Sequence, residues 1–324
     1  MKIGIFTALF GDKSLTEALD IVKAEGIQAV EFGAGAYPGS SHIDPDALIE
    51  SAAAREKLLH EVHGRGLTIS AISCHGNPIH PDPSVAKAHH EAFVKSVKVA
   101  AALGIKCVNG FSGCPGDSPG GKMPNWVTCA WPDEFRDILE YQWNDVAIPY
   151  WTEQHKLLED HDVNFCIEMH PGFIAYSNDT LLRLRKAVGP RIGANFDPSH
   201  LWWQGIDPIA AVRQLGAEGA LFHVHAKDTR IDPYTSALNG NLDHKSYGDI
   251  AGRSWVFRSV GYGHGIEWWK DFVSTLRTVG YDNVLSIEHE DGLMSPIEGL
   301  RKALSVLKEA VIFETAGPMF WAKE

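Results

Sequence analysis

Short apolar runs of four to six residues recur along the chain, each followed by a longer stretch with apolar residues at three- and four-residue spacing. The runs are Lys2–Phe6, Ala29–Phe32, Thr68–Ser73, Lys106–Asn109, Asn164–Met169, Ile192–Phe196, Leu221–His225 and Val284–Glu288. A continuous apolar run of this length suits a strand buried on both faces, and the three-and-four spacing suits an amphipathic helix. "SLTEALDIVKAEG" shows the helical kind, opening on Ser14 as N-cap and stopping at Gly26. "GYDNVLSIEHED" shows a helix stop, a turn and then a strand. Eight strand-then-helix repeats predict parallel strands with crossover helices, closed into a (β/α)8 TIM barrel rather than an open doubly wound sheet. The first strand is followed by no G-x-G-x-x-G, which further disfavours a dinucleotide fold. No linker or low-complexity tract divides the chain, so residues 1–324 are expected to form one domain.

Two connections are too long to be simple turns. After the fourth run, "GFSGCPGDSPGGKMPNWVTCAWPDEF" is rich in Gly, Pro and Trp before a helix resumes. After the seventh run, residues 226–264 separate the strand from its helix. Long ordered loops in a compact domain are commonly walls or lids of a site, and in a barrel they rise from the face where strands end.

Composition narrows the partners. The formal net charge of −12 argues against a nucleic-acid phosphate backbone and fits a neutral ligand or a bound cation. The absence of any run of about 18 apolar residues argues against a membrane span. "MKIGIFTALFG" reads as a first strand rather than a signal peptide, so a cytoplasmic protein is expected. The cysteines, five and therefore odd in number, form no C-x-x-C pair and read as reduced thiols. Beyond the last helix, the segment from about 310 to 324 carries Phe313, Met319, Phe320 and Trp321, and a homo-oligomer is expected to use it as an interface.

The chemistry gathers at strand ends. Strands five to eight finish in "IEMHP", "NFDPSH", "HVHAKD" and "SIEHED", placing Glu168, Asp197, His225 and Glu288 at successive strand termini. Such residues ring the C-terminal mouth of a barrel. Unpaired carboxylates crowded there would be unfavourable unless a cation or a proton intervenes. The set of two Glu, one Asp and one His suits a divalent metal, with Mn2+ favoured and Mg2+, Co2+ or Zn2+ admitted. His170 shares a strand face with Glu168 and is a candidate to move a proton near neutral pH, against the plainer reading of a bond to a loop carbonyl. His75, in "SCHGNP" after the third strand, also projects at the rim. Trp126, Trp131, Trp202 and Trp203 are candidates to stack on a sugar or an aglycone, although aromatic residues also populate cores.

The segments "NFDPSH", "HVHAKDT" and "GYGHGIEWWKDFVSTLRTVGYDNVLSIEHE", within a likeness from "MKIGIFT" to "SIEHED", resemble the xylose-isomerase-like barrel superfamily. This superfamily holds sugar isomerases and epimerases related to D-tagatose 3-epimerase. The resemblance implies a metal on Glu168, Asp197, His225 and Glu288, and a substrate-orienting histidine at His200. It also implies proton abstraction next to a carbonyl through a metal-stabilised enediolate, with Glu168 and Glu288 as the acid/base pair. Lys227 and Asp228 are second-rank candidates that equally suit a plain ion pair fixing the loop, with Asp228 a substrate contact otherwise. The Trp-bearing insertion after the fourth strand departs from the minimal epimerase pattern, and the arginine some epimerases carry after the seventh strand has only Arg230 nearby.

Large subunits of C-glycoside deglycosidases look similar. That likeness implies an alternative lyase-type outcome, elimination of an aromatic aglycone from a 3-keto-C-glucoside, with or without a small partner subunit. A resemblance to the endonuclease IV type of DNA-repair enzyme conflicts with the negative charge. A non-catalytic barrel subunit would be expected to lack a metal ligand, and none is missing.

Overall fold

The computed structural model describes residues 1–322. Its strands are β1 (Lys2–Phe6), β2 (Ala29–Gly33), β3 (Thr68–Ser73), β4 (Cys107–Gly110), β5 (Asn164–Glu168), β6 (Ile192–Phe196), β7 (Leu221–Ala226), β8 (Asp228–Ile231), β9 (Trp255–Arg258) and β10 (Val284–Ile287). Eight of them are parallel and close into a barrel in the order β1-β10-β7-β6-β5-β4-β3-β2. This is the (β/α)8 barrel expected from the apolar runs. Every residue of β2, β4 and β6 is buried, because helices cover the outer face and side chains fill the inside.

The helices start where local chemistry tells them to. Asp44, Asp82, Asp207 and Asp232 each precede a proline and accept a backbone N–H of the first helical turn, while the proline occupies a position that needs no donor. Ser14 and Glu17 form a reciprocal capping box. Outside the strands, Trp151 stacks on Phe165 at 4.6 Å and meets the edge of Phe93, locking the helix after β4 onto the barrel.

Inside, one layer is polar where branched aliphatic residues are usual. Alternate strands β2, β4, β6 and β10 contribute Glu31, Asn109, Asn195 and Ser286, all fully buried. This layer lies beneath the ends of the strands that carry the candidate site.

The two long connections differ. Residues 111–133 have no regular structure and are pinned by Gln142, whose Nε2 donates to the carbonyls of Asn125 at 2.6 Å and Gly116 at 3.1 Å. The chain then runs through helix Glu134–Glu140, a π-helical stretch Tyr141–Ala147 and helix Ile148–Asp160. The connection after β7 is not a plain loop: β8 and β9 pair antiparallel around helix Pro233–Asn239. A small aromatic core of Trp203, Trp255 and Phe257 packs against Ile231 beneath this pair.

Helix Pro296–Ala310 ends the barrel, and Ile312, Phe313, Met319, Phe320 and Trp321 follow as exposed apolar residues. The last two residues of this proposed interface segment, 323 and 324, lie outside the described residues. Among the described residues, no helix is long and apolar enough to cross a membrane.

Candidate metal centre and active site

β5 ends on Glu168, β6 is followed directly by Asp197, β7 carries His225 near its end, and β10 is followed by Glu288. The four offer ligand atoms that all lie within 4.8 Å of one another. Glu168, Asp197 and His225 are buried, and Glu288 is 16% exposed, so the cluster opens on its Glu288 side.

Each residue is held by its far side. Glu168 Oε1 lies 3.0 Å from His200 Nε2, and Oε2 lies 3.0 Å from His75 Nε2. Burial would raise the Glu168 pKa, but His75, His200 and His225 outweigh it and hold the carboxyl well below its ordinary value. Asp197 Oδ1 accepts the Ser199 backbone N–H at 2.8 Å. Burial raises the Asp197 pKa with help from Glu168 and Glu288, against Lys227 and His200. His225 Nε2 lies 3.0 and 3.1 Å from the two oxygens of Glu31. For Glu288, burial is overcome chiefly by the Lys227 ammonium, which brings the carboxyl down to about 2.

What remains facing the centre suits a cation. Asp197 Oδ2 and His225 Nδ1 are buried without a hydrogen-bond partner. His225 Nδ1 stands 3.1 Å from Glu168 Oε2 and 3.4 Å from Glu288 Oε2. With Nε2–H donating to Glu31, Nδ1 presents a lone pair to two carboxylates, a repulsive arrangement unless positive charge lies between them. Burial disfavours a charge on His225, but Glu31 and Glu288 outweigh it and draw its pKa well above the usual value. One buried ammonium is present too. Lys227 Nζ lies 3.1 Å from Asp197 Oδ2, 2.6 Å from Glu288 Oε2 and 2.9 Å from Glu290 Oε2. A single ammonium among Glu168, Asp197, Glu288 and Glu290 leaves negative charge in excess, and the three carboxylates with one imidazole fit a divalent cation.

A cavity of about 340 Å3 opens above this floor, at the small end of small-molecule sites. Glu168, His170, Lys227 and Glu288 face it from below, and Phe6, Tyr37 and Phe111 supply an aromatic wall. His75 reaches it too, set against the edge of Phe111 at 4.7 Å. His170 is placed by the turn that follows β5. Pro171 precedes Gly172 at φ +97°, a conformation that favours glycine, and the Phe173 N–H returns to the His170 carbonyl at 3.2 Å.

Several residues expected to face a substrate lie elsewhere. His200 is 1% exposed and sits behind His170, their ring centroids 4.1 Å apart, with its Nε2 on Glu168. Trp126, in the insertion, meets Tyr176 of the loop after β5 edge-on, while Trp131 is exposed. Trp202 stacks on His264 at 3.9 Å and packs against Trp268, outside the cavity lining. Trp203 stacks on Trp255 beneath the hairpin. Asp228 turns away and makes no pair with Lys227: its Oδ2 accepts the N–H groups of Gly261, Gly263 and His264, and it is fully buried. The reason is alternation, because neighbouring residues of an extended segment point to opposite sides.

The chain matches the xylose isomerase-like TIM barrel family over residues 19–310. It belongs to that family. It is 40% identical over 314 residues to an uncharacterized protein, YfiH, of Bacillus subtilis (strain 168), covering 96% of this chain and 99% of that protein. Among solved structures, the IOLI protein with a binding zinc atom superposes with a TM-score of 0.64 at 16% identity, covering 96% of this chain and 98% of the other. D-Psicose 3-epimerase with D-tagatose, from Clostridium cellulolyticum H10, superposes with a TM-score of 0.57 at 15% identity, again covering 96% and 98%. At these identities the two structures speak for the xylose isomerase-like fold alone.

Within this xylose isomerase-like barrel, sequence reasoning passed over Glu31, Asn109 and Asn195 and ranked Lys227 low. Glu31 does leave a trace, a lone acid inside the otherwise apolar strand "AVEFG". The position of Lys227 depends on contacts with residues some 30 and 60 places away, which no local pattern reports.

Proposed function

We propose that the chain is a divalent-metal-dependent enzyme of the sugar isomerase and epimerase type, removing a proton next to a carbonyl. The observation that carries this reading is the convergence of Glu168, Asp197, His225 and Glu288 within 4.8 Å at the floor of the cavity. Family membership and a fold shared with a zinc-bearing protein and a sugar epimerase support it. A bound divalent cation supplies positive charge that stabilises the oxygen of a carbonyl as it becomes an enolate.

The chain's own residues do the rest. Glu168 and Glu288 face the cavity from two strand ends and are the acid/base pair of this reading. His75 and His200 hold Glu168 in place from behind. His170 lines the cavity with Glu168, and its Nδ1 donates to the Pro171 carbonyl at 2.5 Å, as the plainer expectation had it. In this reading its Nε2 takes up or returns a proton at a substrate hydroxyl. Lys227 lines the cavity and, through its ammonium, holds Asp197 and Glu288 in place. It is the one Lys or Arg among the cavity-lining residues, and three carboxylates already engage it, so the reading favours an unphosphorylated sugar. The metal in this reading is Mn2+, with Mg2+, Co2+ and Zn2+ as competitors. The exposed apolar tail would seat a second copy of the chain.

The aromatic wall of Phe6, Tyr37 and Phe111 favours a second reading. It offers a face to an aromatic aglycone, as elimination from a 3-keto-C-glucoside would require. One experiment separates the two. The Mn2+-loaded protein is incubated in deuterated water with free ketoses and with a 3-keto-C-glucoside, with and without a small partner subunit. Deuterium entering a C–H next to the ketose carbonyl, with formation of an isomer or epimer, is the expected result. Release of aglycone alone would establish the second reading, and silence in both would remove proton abstraction as the function.

A further inference from the structure

Glu31 stands in the middle of β2, fully buried beneath the four-residue cluster. A carboxylate in that position carries a large desolvation penalty, and an aliphatic residue would fill the same layer without it. The surroundings are built to keep it. Oε1 lies 2.5 Å from Ser73 Oγ and 3.0 Å from Asn109 Nδ2, and Oε2 lies 2.7 Å from Ser286 Oγ. Both oxygens lie within 3.1 Å of His225 Nε2. Three of these partners are neutral donors inside the barrel. His225 is the one that continues into the ligand cluster.

A carboxylate only accepts, so the contact places a proton on Nε2 and leaves Nδ1 as a lone pair toward Glu168 and Glu288. That is the tautomer a metal-binding imidazole needs, and a carboxylate behind the ring makes the facing nitrogen more basic. Phe6 lies along the ring, centroids 6.0 Å apart and planes 25° from parallel, which restricts its rotation from a second side.

The geometry points to Glu31 as a positioning residue that fixes the orientation and tautomer of His225 and strengthens its hold on a divalent cation. The inference rests on the metal reading proposed above. His223 is the neighbouring imidazole, its Nε2 3.9 Å from Glu31 Oε2 and its Nδ1 2.9 Å from Asn195 Oδ1. Glu31, His223 and His225 also bring possible ligand atoms within 4.8 Å of one another, so a direct ligand role for Glu31 is the competing outcome.

The test uses the full chain stripped by chelator and titrated with Mn2+ by calorimetry, with Co2+ absorption and histidine 15N shifts as spectroscopic readouts. The wild type is expected to take up one ion per chain. Glu31→Gln is expected to keep that stoichiometry, lose affinity by about 10–100-fold, alter the Co2+ spectrum and release the Nε2–H bias of His225. Ser70→Ala, which removes a buried hydrogen bond from β3 to the Val30 carbonyl without touching Glu31 or His225, should keep near wild-type affinity. In a His225→Ala background, Glu31→Gln should have no further effect on the residual affinity. If Glu31→Gln does not fold, Glu31→Asp serves, since it keeps the charge but withdraws it from Nε2, and the same affinity loss is expected.

Unchanged affinity and spectrum in a folded Glu31 variant would overturn the positioning role. An undiminished effect in the His225→Ala background would do the same. Two ions in the wild type falling to one in Glu31→Gln would make Glu31 a ligand instead. A wild type that takes up no ion would remove the metal reading itself and this inference with it.

Discussion

Asp197 shows how finely charge is set around one side chain. Its Oδ1 is committed to the Ser199 N–H, and its buried Oδ2 makes no aligned hydrogen bond, only an ion pair with Lys227 Nζ at 3.1 Å. Burial, with Glu168 and Glu288, disfavours its charge more than the Lys227 ammonium 3.1 Å away and His200 favour it, so the aspartate gains when a further cation is bound. Asp197→Asn keeps the shape and the Ser199 contact while removing that charge. The metal-free variant should therefore melt at or above the metal-free wild type, yet show no stoichiometric Mn2+ uptake by calorimetry. A variant that melts lower and still binds the ion would contradict both the charge argument and the ligand assignment. At this scale the four proposed ligands were legible because each lies at a strand end, where chain direction alone sends it to one mouth. Glu31 was not, because its meaning lies in Ser73, Asn109, His225 and Ser286, brought to it by barrel closure.

The β8–β9 hairpin depends on Asp228 more than on its own strands. Asp228 Oδ2 accepts from Gly261, Gly263, His264 and, at 3.3 Å, Trp269 Nε1, tying the chain after β9 back to the end of β7. An asparagine there would turn N–H groups toward some of these donors. Asp228→Asn should cost about 1–3 kcal/mol in denaturant unfolding, the range for leaving buried polar groups unpaired. It should also speed limited proteolysis between residues 232 and 253, where the chain is largely exposed. Unchanged cleavage would show that the aromatic core of Trp203, Trp255 and Phe257 holds the hairpin by itself.

The barrel strands were readable to within a residue or so because burial on both faces makes each an unbroken apolar run bounded by helix signals. The hairpin was not readable. "DTRI" and "WVFR" pair across a long intervening segment, and neither has the length or alternation that marks a strand locally. Phe257 nonetheless reaches the site from this hairpin, edge-on to His200 at 5.2 Å and 4.6 Å from Lys227 Nζ, so the element that sequence missed helps to wall the centre.

For the molecule as a whole, the closed barrel brings four of its 41 carboxylates to one mouth, where Glu168, Asp197, Glu288 and Glu290 surround a single ammonium. Every strand contributes to keeping those groups together, so their repulsion is borne by the entire fold and its relief should be felt there. A cation bound only by the native arrangement stabilises it by mass action, by about 2.7 kcal/mol when free ion is 100 times the dissociation constant. For a domain of this size that corresponds to a rise of several degrees in melting temperature. Chelator-treated protein should melt lower than protein with Mn2+, and the gap should close in Asp197→Asn, which has lost the ligand but not the barrel. General screening would act differently, since sodium chloride at matched ionic strength weakens all exposed charge interactions without filling the cluster. A melting shift that sodium reproduces, or that survives in Asp197→Asn, would mean the ion acts on the surface at large rather than at the four strand ends.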